Sequence, residues 1–186
     1  TKAANLGYAN SQEVLGEMYM EGKGVEQNYT QAAYWLKKSC ENGERSAFAP
    51  FGDCHRKGLG VEKDEKKAFE LYQKGSEMGD LRSKVSMAEC LIEGWGTKCD
   101  DKYAAQILEA VCNAEEEYRE NLVTMITHED ESGRIFIEDP LDEENLPHYA
   151  KAYYMLGTLN YTGNGSGGSS SSKALALLRM AERLGY

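Results

Sequence analysis

From Ser11 to Glu21 the apolar side chains Val14, Leu15, Met18 and Tyr19 recur three and four residues apart. That spacing lines them along one face of a helix. The run stops at "EGKG", where glycine supplies the left-handed backbone that closes a helix. A second run begins at Asn28, a residue suited to capping a helix N-terminus, passes through Ala32, Trp35, Leu36 and Cys40, and ends at Gly43. The pattern predicts a hairpin of two amphipathic helices joined by a glycine turn.

The same pattern returns every 36 residues. Gly22, Gly58 and Gly94 fall on one another, as do Gly24, Gly60 and Gly96, and Ala32, Ala68 and Ala104. Asn28, Asp64 and Asp100 share one register, Gly7, Gly43 and Gly79 another, and Lys2, Lys38 and Lys74 a third. The second unit places Phe51, Cys54, Leu71 and Tyr72 at core positions; the third places Met87, Cys90, Ile107 and Leu108 there. Gly16, Gly52 and Ala88 are small where the two helices of a hairpin must approach closely. Such hairpins cannot bury their faces alone, so they stack. The opening "TKAANLGY" reads as the end of a preceding unit, and the closing "RMAERLGY" ends the last one.

The stretch "LGEMYMEGKGVEQNYTQAAYWLKKSCENG" resembles the Sel-1-like repeat, a 36-residue relative of the tetratricopeptide repeat. Leu15, Gly16, Tyr19, Gly22, Gly24, Val25, Ala32, Trp35 and Gly43 carry the likeness, and Gly58 to Gly79 carry it equally well. The third unit is looser, with Trp95, Thr97 and Glu115 replacing consensus residues, and a fourth appears as "YMLGTLNYTGNG" followed by "KALALLRMAERLG". The resemblance implies an all-α fold, one right-handed α/α solenoid over 1–186. Its expected parts are 1–8, the end of a preceding repeat; repeats at 9–44, 45–80, 81–115 and 148–186; and an acidic insertion at 116–147.

The insertion shows as a break in register: Ala88 predicts a small residue at 124, and Gly157 comes 33 residues late. Glu115 stands where Gly43 and Gly79 end the second helix, so that helix is expected to run on through "NAEEEYREN". "LVTMIT" and "GRIFIED" are rich in β-branched residues and flank "HEDESG", which predicts a short β-hairpin. Pro147 then suits the first turn of the next helix. "SGGSSSS", Ser166 to Ser172, has the composition of a flexible linker, natural or introduced.

The net charge of −10 argues against a nucleic-acid phosphate binder, and no apolar run is long enough to cross a bilayer. Asn113 to His148 hold 12 acidic residues against Arg119 and Arg134, so one segment carries the whole imbalance. That segment is either a solvated loop or a surface for a basic partner. An EF-hand reading of residues 128–139 fails on its ligands. His128 and Asp139 stand where the loop needs Asp and Glu, and Ser132 holds the fifth position.

Five cysteines without a close CxxC pair fit neither a full disulfide framework nor a zinc ribbon. Cys54 and His55 are neighbours about 100° apart around a helix, so they do not form a nucleophile–base pair. Both sit in packing registers, Cys54 with Met18 and Cys90, His55 with Tyr19 and Leu91. Some secreted members of the family staple hairpins with two cysteines. Cys40 and Cys112 match one staple position, but Ala47 occupies the partner position. Free thiols point to a cytoplasmic rather than a secreted chain; N-x-S/T sequences at Asn28, Asn160 and Asn164 point weakly the other way. No catalytic residue, metal ligand set or cofactor site is expected.

What remains is surface. The resemblance puts the first helix of each hairpin on the concave side, and helical spacing then turns Glu13, Glu17 and Met20 outward. Their equivalents are Ala49, Asp53 and Arg56; Val85, Glu89 and Ile92; and Tyr154, Thr158 and Tyr161. This predicts an acidic stripe of Glu17, Asp53 and Glu89 beside apolar Met20 and Ile92, interrupted by Arg56, with Tyr154 and Tyr161 in the last repeat. The insertion offers Glu129, Asp130, Glu131 and Phe136 as a second contact. The expected function is a non-catalytic interaction module of a larger scaffold or adaptor, binding a protein or peptide with basic and apolar side chains. The alternative is a regulatory or docking segment of a multidomain enzyme.

Overall fold

The computed structural model describes residues 2–125, 145–164 and 170–186. The chain divides into two compact units, 1–100 and 101–186. The first holds α1 (Lys2–Asn5), α2 (Ala9–Glu21), α3 (Tyr29–Glu41), a 3-10 turn at Arg45–Ala47, α4 (Phe48–Lys57), α5 (Glu65–Glu77) and α6 (Leu81–Glu93). The second holds α7 (Asp101–Met125), α8 (Leu146–Thr162) and α9 (Ser171–Arg183). No described helix is long and apolar enough to cross a membrane.

Capping starts and stops these helices where the sequence places it. Asn28 accepts a hydrogen bond from the Gln31 amide at 3.0 Å, and Asp64 does the same for Lys67 at 2.9 Å. Each supplies one of the acceptors that a helix N-terminus lacks. Gly22 closes α2, Gly58 closes α4, Gly94 closes α6 and Gly163 closes α8, all in the left-handed conformation.

Within a hairpin the helices touch at the small residue. A Cβ on Gly16 would lie 2.7 Å from the Leu36 side chain, one on Gly157 would lie 2.9 Å from Leu178, and one on Gly52 would overlap the Tyr72 ring. The first unit packs Ala33, Leu36, Phe51 and Cys54 into one cluster, with Met20, Val61 and Leu71 against it. Ala4, Leu15 and Trp35 form another. The second unit buries Leu108, Val111, Ala152, Leu156 and Ala181.

Two local expectations change. The first strand of the expected hairpin, at 122–127, is helical through 125, because α7 extends to Met125. No glycine stands at the position filled by Glu115, and the residues that follow, Glu116 to Asn121, include neither glycine nor proline to stop a helix. The rest of that hairpin lies outside the described residues. The serine run also ends as structure: Ser170 caps α9 through the Lys173 amide, and Ser171 and Ser172 belong to its first turn.

In the second and third turns the second glycine joins one hairpin to the one before. A Cβ on Gly60 would overlap the backbone carbonyl of Tyr29, and one on Gly96 would overlap that of Glu65, 36 residues further on. Gly24 shares their left-handed backbone but would meet only the end of the Met18 side chain, at 3.2 Å. Gly24→Ala should therefore cost about 1–2 kcal/mol for its backbone alone. Gly60→Ala and Gly96→Ala should each cost roughly 2 kcal/mol beyond that. Thermal melting of the three variants checks this; equal losses would show that the close approach contributes nothing.

The thiols give a second check. Burial pushes Cys54, Cys90 and Cys112 up to about 12, and Cys40 likewise, whereas Cys99 is exposed. A thiolate-trapping reagent at neutral pH should titrate Cys99 at once and the other four only as the chain unfolds.

Candidate functional site

Asp53 on α4 is the centre of the first-helix side of the first unit. The position facing it from the second helix is aliphatic in two repeats, Leu36 and Leu108, but is Tyr72 here. The Tyr72 ring is buried over Gly52, and its hydroxyl donates to Asp53 Oδ1 at 2.7 Å. The other oxygen, Oδ2, accepts from Arg82 of α6 at 3.1 Å. The same guanidinium donates to Glu17 Oε1 on α2 at 3.2 Å. Arg82 thus ties together the first helices of three successive hairpins.

Arg56 extends the network. Its guanidinium lies 3.6 Å from Asp53 Oδ1 and 4.7 Å from the centre of the Trp95 ring, a cation–π arrangement. Burial alone would lower the Arg56 pKa, but Tyr72, Asp53 and Glu89 outweigh it and raise it. Arg82 behaves alike: burial opposes its charge, and Asp53 and Glu17 more than restore it. Burial, then the Asp53 carboxylate, pushes the Tyr72 phenol well up, so it stays a donor. Asp53 keeps 17% of its side chain exposed and Arg82 32%, so the patch meets solvent while its geometry is fixed from beneath.

The expected stripe is partly rearranged. Glu17, Asp53, Arg56, Glu89 and Ile92 lie at half-buried positions of this face. Glu13 does not stand open: it is 8% exposed, and its equivalents Ala49 and Val85 are buried too. Met20 packs against the cluster of Ala33, Leu36, Phe51 and Cys54 rather than outward. A first helix in a stack is flanked by its hairpin partner and by neighbouring hairpins, so its buried stripe is wider than one face. In the second unit Tyr154 is 44% exposed and stacks on Tyr186 at 4.7 Å, and Tyr161 is 69% exposed. Glu129, Asp130, Glu131 and Phe136 lie outside the described residues.

Tyr72, Arg82 and Trp95 were not among the expected site residues. Their signal is a break in register: Tyr72 against Leu36 and Leu108, and Arg82 against Asn10 and Ser46.

Nucleophilic chemistry has no footing at Cys54 and His55. The thiol is buried and held protonated, and the imidazole stands edge-on to Phe51 at 5.0 Å. Among the described residues no group of three or more His, Cys, Asp or Glu side chains is arranged to hold a metal ion.

The architecture has solved counterparts. A Sel1 repeat protein from Oxalobacter formigenes superposes with a TM-score of 0.56 at 22% identity, over 97% of this chain and 75% of that one. A protective antigen of uropathogenic Escherichia coli with an SLR fold gives 0.55 at 22% identity, over 99% of this chain and 40% of that one. A Sel1 repeat protein from Klebsiella pneumoniae gives 0.50 at 19% identity, over 100% of this chain and 91% of that one. Comparison with curated proteins finds no significant match. The Sel1 repeat model matches residues 9–44, 52–80 and 150–186 and leaves the looser third unit unmatched. With more than half of its length matched and the hairpin stack in place, the chain belongs to the Sel1 repeat family.

Proposed function

We propose that this chain is a non-catalytic adaptor that binds a protein or peptide partner on the first-helix side of residues 1–100. Sel1 repeats generally mediate protein interactions. The observation that carries the reading here is the hydrogen-bonded chain from Tyr72 through Asp53 to Arg82 and Glu17. It fixes long charged side chains on rigid helices, so less conformational entropy is lost when a partner orders them.

The network also refines the partner. Glu17, Asp53 and Glu89 stand among two arginines, so the face offers paired charges of both signs beside Trp95 and Ile92. A segment mixing apolar, acidic and basic side chains fits this face better than a uniformly basic one. The acidic segment between α7 and α8 adds a second contact for a basic region of the same partner.

The fixed geometry is testable without a partner. Tyr72→Phe and Arg82→Met should each cost about 1 kcal/mol. Because both act through Asp53, the double variant should cost less than their sum by roughly 0.5 kcal/mol or more. Denaturant melts of the four proteins measure the difference, and strict additivity would mean that Asp53 does not couple them.

The function is tested by co-purification. Glu89→Lys combined with Trp95→Ala removes two groups that hold Arg56, so it should lower the melting temperature while leaving the helical circular dichroism intact, and should weaken a partner recovered by the wild-type chain about tenfold or more. Full retention by this variant, with loss on replacing residues 126–144 by a short linker, would move recognition to the acidic segment.

A further inference from the structure

A second surface stands on the opposite, second-helix side of the first unit, independent of the face described above. Between α3 and α5 lies a cleft of about 380 Å³. Ala33, Phe51 and Val61 give it apolar walls, and Lys37 and Lys67 line it from the two second helices. That volume suits one or two side chains at the small end of the range for binding sites.

The seam between α7 and α9 in the second unit shows what those two lysines replace. Thirty-six-residue registers place Glu109 where Lys37 stands two repeats earlier. The N-caps Asp64 and Ser170 likewise place Lys173 where Lys67 stands, each amide being the one its cap accepts from. In the second unit these positions form an ion pair, Lys173 Nζ to Glu109 Oε1 at 2.9 Å, which bridges the seam. In the first unit the equivalent positions hold two cations, which repel instead. Lys37 has only a loose, exposed pair with Glu41 at 3.8 Å, and Lys67 is exposed.

Two rings complete the cleft. His55 lines it, with Nδ1 buried and without a hydrogen-bond partner. Burial lowers its pKa, which favours the neutral ring. Tyr34, 47% exposed, adds an aromatic wall open to solvent.

We propose that this cleft binds an acidic peptide segment of a partner protein. An aliphatic side chain seats against Phe51, Ala33 and Val61. A neighbouring carboxylate pairs with Lys37 and Lys67, as Glu109 pairs with Lys173 within the chain. The occupant follows from charge: two cations beside an apolar floor, in a chain whose net charge is −10.

The test is fluorescence anisotropy on the full chain with a short labelled peptide, two leucines flanked by glutamates, and a comparator with lysines in place of the glutamates. The glutamate probe should bind about tenfold tighter or more than the lysine probe, with a strong salt dependence. Lys37→Glu recreates the pairing of the second unit with Lys67, fills the anion position internally, and should abolish the preference. Lys67→Glu should do the same from the other side. Lys98→Glu, an equal charge change at an exposed loop position, should leave it intact. Equal binding of the two probes, or an equal loss in Lys37→Glu and Lys98→Glu, overturns the proposal. So does concentration-dependent self-association that Lys37→Glu removes, because that assigns the cleft to a second copy of the chain.

Discussion

The stack depends on a contact that works because a side chain is missing. At Gly60 and Gly96 the turn of one hairpin rests on the backbone of the first turn of the preceding second helix. No other residue fits there, since the backbone is left-handed and the space for a Cβ is already filled by a carbonyl group. The contact is repeated at a fixed interval, Tyr29 for Gly60 and Glu65 for Gly96. A joint made from backbone against backbone has no rotamers to vary, so the offset between hairpins is constant within the first unit.

That constancy is what the charged network uses. A guanidinium can reach carboxylates on two neighbouring first helices only if their separation is set to within a few tenths of an ångström. Arg82 does so at 3.1 and 3.2 Å. Polar side chains help to fix the hairpins in both units. Gln12 donates to the Ala4 carbonyl at 3.0 Å, and the buried Tyr153 hydroxyl donates to Glu115 at 2.8 Å, with the Cys112 carbonyl 3.3 Å away. Ala4 and Cys112 are three repeat lengths apart, so the same place on the second helix is met by a polar side chain in both units. Burial and the Glu115 carboxylate push the Tyr153 phenol up, which keeps it a donor.

The hairpins were legible in the sequence because their determinants are local and periodic. Glycine at 22, 58 and 94, a capping side chain at 28 and 64, and a small residue at 16 and 52 each act within a few residues or across one hairpin. What the sequence hid was set by more than one neighbour at once. Glu13 looks exposed on a helical wheel that knows one packing partner, and it is buried because the helix has several. Met20 fails for the same reason. Asp53 was legible as a surface carboxylate, but its partner Arg82 is 29 residues away in sequence, at a register that holds Asn10, Ser46 and Lys151 in the other repeats. The helix through Met125 is a case of a missing stop signal: β-branched residues suggested strands, yet no glycine or proline broke the helix before them.

Departures from the repeat are therefore more informative than the repeat itself. Where a position is fixed by the joint or the hairpin contact, every repeat shows nearly the same residue, and the residue says only that the fold exists. Tyr72 keeps the packing role of Leu36 and Leu108 and adds a hydroxyl that is spent on Asp53. Lys37 takes the position of the half-buried Glu109 and reverses its sign, so that a seam bridged in one unit faces a like charge in the other. Neither change is needed to make a stack, because the equivalent repeats stack without it. A polar or charged group that the fold does not require, held at a position the fold defines, is the physical mark of a binding surface in a repeat protein. By that measure the two proposed surfaces stand apart from the repeat itself, one on each side of the first unit's hairpins.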